Sequence, residues 1–307
     1  MTRFSIIIPC YNAAGTLSET LRSIANQTYD AWDVICIDDG STDATCDILR
    51  NACARDPRIC FIKNDGKGPS RARNLGALSV AQGDIVAFCD ADDIWGPDKL
   101  AQLADCFADL EVDAAYGQIA FFQNDPAKAQ VFSTVPRGPL TIPMLLGENP
   151  VCTMSNIAVR RAALVQTQGF DETMVHNEDL DWLIRLVGGG ARVMGIDICQ
   201  TWYRSSNNGL SADLPAMMQG RKAALLTAAR FGQTPSRKSN AIFFRYLARR
   251  ALRLGQNRGL AFGFALRGLI SSPAGFFDTP RRGLFTLIGA VVAPALPLRL
   301  SRALFSR

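Results

Sequence analysis

Short apolar runs that end in loops and are followed by helical stretches constrain this chain more than any other feature. Phe4–Cys10, Trp32–Asp38, Arg58–Asn64 and Asp84–Asp90 read as strands, with helices expected over about Thr16–Gln27, Asp43–Arg55 and Ser70–Ala81. Strands alternating with helices of this length predict an α/β fold: a Rossmann-like, mainly parallel sheet flanked by helices. Thr16 with Glu19 three residues later reads as a capping box, and Pro97 suits the first turn of another helix. Beyond residue 111 the pattern is less regular. Val112–Phe122 and Ser155–Val159 read as strands, Pro126–Pro150 as loop-rich, and Glu178–Val187 as a helix stopped by Gly188-Gly189-Gly190.

In open α/β sheets, ligands bind outside the carboxyl ends of the strands. Acids collect there: Asp38 and Asp39 after the second strand, Asp90, Asp92 and Asp93 after the fourth. Crowded carboxylates repel unless a cation joins them, and hard oxygen ligands suit Mg²⁺ or Mn²⁺ shared with substrate phosphates. A turn and helix-cap role for Asp38-Asp39 is the plainer alternative. Together the two groups favour a nucleotide-diphosphate site. A single histidine, His176, excludes a multi-histidine zinc centre.

The net charge of +5 hides a division. Residues 1–220 hold 17 Lys and Arg against 27 Asp and Glu, while residues 221–307 hold 16 basic residues and one acid, Asp278. A hydrophobic fraction of 48% excludes a disordered chain. Nine cysteines with no C-x-x-C pair argue against a disulfide framework and for a reducing, cytoplasmic setting. Phe4–Pro9 lacks the basic flank and cleavage site of a secretory signal.

Five motifs occur in a recognisable order: Ser5–Asn12 (S-I-I-I-P-C-Y-N), Gln27-Thr28, Asp38–Thr42 (D-D-G-S-T), Gly68–Gly76 (G-P-S-R-A-R-N-L-G) and Asp90–Leu100 (D-A-D-D-I-W-G-P-D-K-L). Over roughly residues 3–205 the chain resembles an inverting family 2 glycosyltransferase with the GT-A fold, of the bacterial polysaccharide-assembly type. The resemblance implies that Pro9 and Tyr11 line the nucleoside pocket, that Asp39 binds base or ribose, and that Arg71 approaches base or diphosphate. It implies Asp90 and Asp92 as the D-x-D pair, Asp90 toward ribose or sugar and both toward a Mg²⁺ or Mn²⁺ ion, with Asp93 and Glu178 at the donor sugar. Asp179, in His176-Asn177-Glu178-Asp179, is then the general base. The closing Trp202-Tyr203-Arg204 and Asn207-Asn208-Gly209-Leu210-Ser211 carry asparagine where the family has histidine. For Trp182 and Trp202 a core role is the default over stacking on a sugar.

The expected reaction is hexose transfer from a nucleotide sugar, UDP-hexose by the family's habits, to a hydroxyl of a glycan or lipid-linked acceptor in exopolysaccharide or lipopolysaccharide synthesis. Two alternatives are a non-catalytic nucleotide-sugar binding protein and a nucleotidyltransferase; Asn12–Thr16 lacks the basic loop that the latter needs. The expected division is a transferase domain over 1–214 and a basic helical extension over 215–307. Arg245, Arg249, Arg250, Arg253, Arg258 and Arg267 punctuate an apolar stretch there, and Leu284–Leu298 carries no charge. That run is too short to span a bilayer, so a peripheral attachment to the anionic inner face is expected rather than nucleic-acid binding. A helical cap whose apolar side covers the catalytic domain or a second subunit is the alternative.

Overall fold

A computed structural model describes residues 1–205, 212–255 and 258–296. Asn207–Ser211, Leu298, Arg299 and Arg302 lie outside the described residues. The chain divides into two compact units, one of residues 1–140 and 150–205, the other of 141–149 and 206–307.

The first unit is built on one mixed sheet. Strands β1 (Phe4–Cys10), β2 (Trp32–Asp38), β3 (Ile59–Lys63) and β4 (Ile85–Phe88) are parallel and alternate with helices α1 (Leu17–Ala25), α2 (Thr45–Arg55) and α3 (Pro69–Asn74). After β5 (Ile94–Trp95) and α4 (Lys99–Cys106) come β6 (Ala114–Phe122), β7 (Val131–Phe132), β8 (Ile157–Arg160), α6 (Arg161–Gln166), α7 (Glu178–Gly188) and β9 (Val193–Arg204); α5 (Ile142–Leu145) belongs to the other unit. The strand order is β3-β2-β1-β4-β8-β6-β9-β5, with β7 on β6. Strand β8 runs antiparallel to both β4 and β6, while β6 and β9 are parallel. This is the Rossmann-like half expected, continued by a mixed half.

Strands β1, β2 and β4 are buried on both faces, which is why they read as unbroken apolar runs; β3, at the edge, is partly exposed. Ile6, Ile7, Ile8, Val34, Ile35 and Phe88 are all within the core. Because β1 pairs in parallel with β2 and with β4, the segments leaving β2 and β4 emerge on one rim of the sheet. That rim receives the acids.

Three local expectations change. Thr16 opens α1, but its hydroxyl makes no cap bond; with Thr20 it donates to the carbonyl of Ala91, anchoring the loop after β4. Pro97 sits before α4, not in its first turn, and its carbonyl accepts from the Thr28 amide. The helix over Ser70–Ala81 is α3 followed by a wider helical turn, Leu75–Val80, where the Ala81 amide reaches back five residues to the Gly76 carbonyl. Gly76 is required there, since a Cβ would stand 2.7 Å from the Ile7 Cγ2 atom. Strand β9 was not anticipated: Gly195 and Asp197 interrupt its apolar pattern, and irregular register with β6 breaks the alternation.

The second unit is helical: α8 (Leu214–Arg230), α9 (Arg237–Leu254), α10 (Arg258–Ser271), α11 (Pro273–Phe276) and α12 (Pro280–Val292). Part of the basic stretch turns inward. Phe243, Leu247, Leu252 and Phe264 form its core, and Arg245, 2% exposed, donates to the Phe276 carbonyl and lies 3.7 Å from Glu148. The apolar face of α9 therefore packs within this helical unit, chiefly against α10 and α11. No helix among the described residues is long and apolar enough to cross a membrane.

Candidate active site

The site is organised by α3, because three residues of that helix, Arg71, Arg73 and Asn74, reach in three directions. Gly68, at φ +99°, lets the chain turn into α3 and donates its amide to both Asp39 carboxylate oxygens, at 3.1 and 2.9 Å. Asn64 Nδ2 donates to Asp39 as well. Asp39 thus stands fixed at the end of β2, half-buried, while Asp38 accepts the Ser41 amide and closes the turn. Tyr11 leaves β1 beside it, 57% exposed, with Lys67 Nζ 4.9 Å from its ring centre. Pro9 is half-buried on the same strand. An exposed aromatic ring bordered by a lysine and a fixed carboxylate can take a flat base and its ribose hydroxyls.

Arg71 lies on the open side of α3, bonded to Asp65 at 2.9 Å and Glu172 at 3.1 Å. Asn74 holds the Phe170 amide and carbonyl, fixing the loop before α7. Arg73, buried between them, bridges Asp90 at 2.9 Å and Glu178 at 3.0 Å. This one guanidinium joins the acids after β4 to the acids opening α7. A planar fork suits such a double pairing, where a lysine would serve one carboxylate. The sequence reading passed over Arg73; its place in the R-A-R-N run was the only available signal. It also missed Thr153 and Ser155, which bond the Asp90 carboxylate and amide at 3.1 and 2.8 Å.

The acids of the D-x-D segment differ in surroundings. Asp90 is paired. Asp92 is half-buried and makes no ion pair among the described residues; burial first, then the charge of Asp90, push its carboxyl up to about 6. Asp93 is fully buried, accepts the Arg204 amide at 2.9 Å, and is raised well above the usual carboxylate range by burial and by Asp92 and Asp90. It offers a sugar no exposed surface. Arg204 also donates to the Asp92 carbonyl and to Glu19, so it clasps this loop rather than pointing free. Among the described residues no group of three or more His, Cys, Asp or Glu converges on a metal position. The donor set nevertheless fits a hard divalent cation: Asp92 brings a carboxylate outside any ion pair among the described residues, and Mg²⁺ or Mn²⁺ takes most of its remaining ligands from phosphate and water.

At the other end, Asn177 adopts a left-handed turn, φ 59°, that starts α7 with Glu178, Asp179 and Asp181 in its first turn. Glu178 is buried against Arg73. Asp179 is half-buried, and burial, then Glu178, push its carboxyl up to about 7. A carboxylate titrating near neutrality is matched to proton transfer. His176 is half-buried in the preceding turn. Trp182 is fully buried against Phe88 and Phe170, a core residue, while Trp202 is half-buried next to Gly96.

Residues 5–167 match the family model described as glycosyl transferase family 2. A putative teichuronic acid biosynthesis glycosyltransferase of Bacillus subtilis is 30% identical over 68% of this chain and 81% of its own length. The chain belongs to glycosyl transferase family 2. It is also 30% identical, over 69% of its length and 81% of the relative's, to an Escherichia coli UDP-Glc:alpha-D-GlcNAc-diphosphoundecaprenol beta-1,3-glucosyltransferase. A Haemophilus influenzae glycosyltransferase is 38% identical over 135 residues, and the match spans 54% of that protein. Among solved structures, Staphylococcus aureus TarS with UDP-GlcNAc superposes with a TM-score of 0.61 at 17% identity, covering 99% of this chain and 90% of that one. A Pyrobaculum calidifontis mannosyltransferase with GDP-Man and Mn²⁺ gives 0.60 at 20% identity, covering 99% and 84%. These likenesses establish the GT-A type of fold, and the family establishes a glycosyltransferase.

Proposed function

We propose that this glycosyltransferase moves a hexose, with inversion and with the help of a divalent cation, from a UDP-sugar to a hydroxyl of a lipid-linked glycan in bacterial polysaccharide synthesis. The observation that carries the reading is the Arg73 bridge, which brings the acids after β4 and the acids opening α7 into one site. The Escherichia coli relative supports the donor and acceptor classes, since its name pairs UDP-Glc with a diphosphoundecaprenol acceptor and a β product. A β product from an α-linked donor is an inversion.

Each side chain has a defined task in this scheme. Tyr11 and Pro9 border the base, Asp39 accepts from base or ribose, and Asp90 faces ribose or sugar. Arg71, on the open side of α3, exchanges its partners Asp65 and Glu172 for the donor's negative charge. Asp92, with Asp90 behind it, holds the Mg²⁺ or Mn²⁺ ion, which when bound neutralises charge on the departing diphosphate. Asp93 and Arg204 keep that loop in shape, and Glu178 locates the donor sugar against Arg73. Asp179 removes the proton from the acceptor hydroxyl as its oxygen bonds the anomeric carbon. The bond from that carbon to phosphate oxygen breaks, and the electron pair leaves with the diphosphate. A binding protein on the same fold has no use for a carboxyl held near neutrality beside Glu178.

The test is incubation with Mn²⁺, a lipid-linked glycan acceptor and a panel of UDP- and GDP-sugars, reading release of UDP or GDP and the anomeric configuration of the product. Release with one UDP-hexose and a β product is expected. Neither binding nor release across the panel would overturn the reading.

A further inference from the structure

The helical unit carries a surface that the transfer chemistry does not use. Helix α12, which packs on α9 and α10, buries its small residues Gly283, Thr286, Gly289 and Ala290, Gly283 against Phe276 and Phe277. It exposes its large ones: Leu284, Phe285, Ile288, Val291 and Val292, with Phe285 69% exposed. Those five recur at helical spacing and form one face. A helix whose outer side met water would have the opposite arrangement. Helix α10, which buries Ala261, Phe264 and Ala265, also leaves Phe262, Leu266 and Ile270 outside. No charged residue occurs from 283 to 296, whereas Arg281 and Arg282 sit at the start of the stripe and Arg267 is exposed on α10.

We propose that this α12 face seats in the headgroup layer of an anionic lipid bilayer, with Arg281, Arg282 and Arg267 on lipid phosphates. The proposal deepens the reading that the acceptor is carried on a lipid, and rests on it for its purpose. Charge selects the occupant. With 16 basic residues and one acid over 221–307, a second copy of this region would be repelled, while an anionic surface attracts each arginine near it. Length selects the mode: the 13 residues of α12 reach roughly 20 Å, short of a bilayer's hydrocarbon core of about 30 Å, so the helix lies in the plane of the interface. The inward turn of Arg245 and of the α9 apolar face moves the contact from the earlier basic stretch to α12.

The full chain is mixed with phosphatidylcholine vesicles with and without phosphatidylglycerol and floated, alongside Phe285→Glu/Ile288→Glu. Both substituted side chains are exposed, so the melt and UDP-sugar turnover without vesicles should stay at the parent values. The parent should bind the anionic vesicles and lose binding with added salt; the double variant should bind about tenfold more weakly or less. Equal flotation of parent and variant overturns the α12 face and leaves the acceptor reading intact. Failure of the parent to bind any vesicle, while it glycosylates a lipid-linked acceptor, overturns the membrane contact alone. Transfer to a free glycan but not to the lipid-linked one overturns the acceptor reading instead. A parent dimer that the variant makes monomeric assigns the face to a second copy and also overturns the proposal.

Discussion

Replacing Asp179 with asparagine should abolish transfer and, in alkaline buffer, make the protein more stable. Burial and Glu178 raise the Asp179 carboxyl from 3.8 to about 7 in the folded state. A carboxyl raised on folding costs nothing below its unfolded value, then costs more with each pH unit until the folded value is passed. At about 1.4 kcal/mol per unit the cost is ~1–2 kcal/mol near pH 5 and at most ~4 kcal/mol near pH 8. Asparagine does not ionise, so Asp179→Asn should melt close to the parent in acid and about 5–15 °C above it near pH 8. Transfer runs the other way. The parent rate should rise with pH to a plateau and stand at about a tenth of it near pH 6, while the variant loses about 10²–10⁴-fold at the plateau. Melts across the pH range and initial rates of diphosphate release measure both effects. Adding Mn²⁺ should leave the midpoint of the rate profile in place, which separates it from titration of the cation's ligand. A variant that transfers at the parent rate refutes the base assignment; one whose stability tracks the parent at every pH refutes the raised carboxyl.

Arg73→Met should cost about 3–5 kcal/mol, because it strands Asp90 and Glu178 without their shared cation, and a thermal melt within 2 °C (about the effect of 1 kcal/mol) of the parent would contradict that. Asp92→Asn should raise the Mn²⁺ concentration for half-maximal rate at least ~10-fold; an unchanged requirement would remove Asp92 from the cation. Gly76→Val should destabilise by about 1–3 kcal/mol, read by denaturant unfolding, since its Cβ meets Ile7 in the sheet.

Sequence carried the parallel half of the fold well because β1, β2 and β4 are sealed on both faces, and the burial writes itself as an unbroken apolar run. Trp32–Asp38 has the same bounds in sequence reading and structure. Strand β9 hid because it lies in the mixed half, half-exposed, with its pairing to β6 out of step. The acids were legible as types at strand ends, but their differences were not. Whether a carboxylate is paired like Asp90, sealed like Asp93 or, like Asp92, outside any ion pair among the described residues depends on Arg73, Thr153 and Arg204, which arrive from distant parts of the chain. The capping box failed for a related reason: Thr16 had a better partner in Ala91, 75 residues away.

The Arg73 bridge also bears on how the site comes into being. Its two bonds span 17 and 105 residues of chain. Contacts of such separation close after local helices and neighbouring strands have formed, because the intervening loops must first be ordered. Until α7 docks, Arg73 can pair with Asp90 alone, and Asp179 is absent from the rim. On the roles proposed above, a chain folded this far would hold the nucleotide end of the donor and lack the base that consumes it.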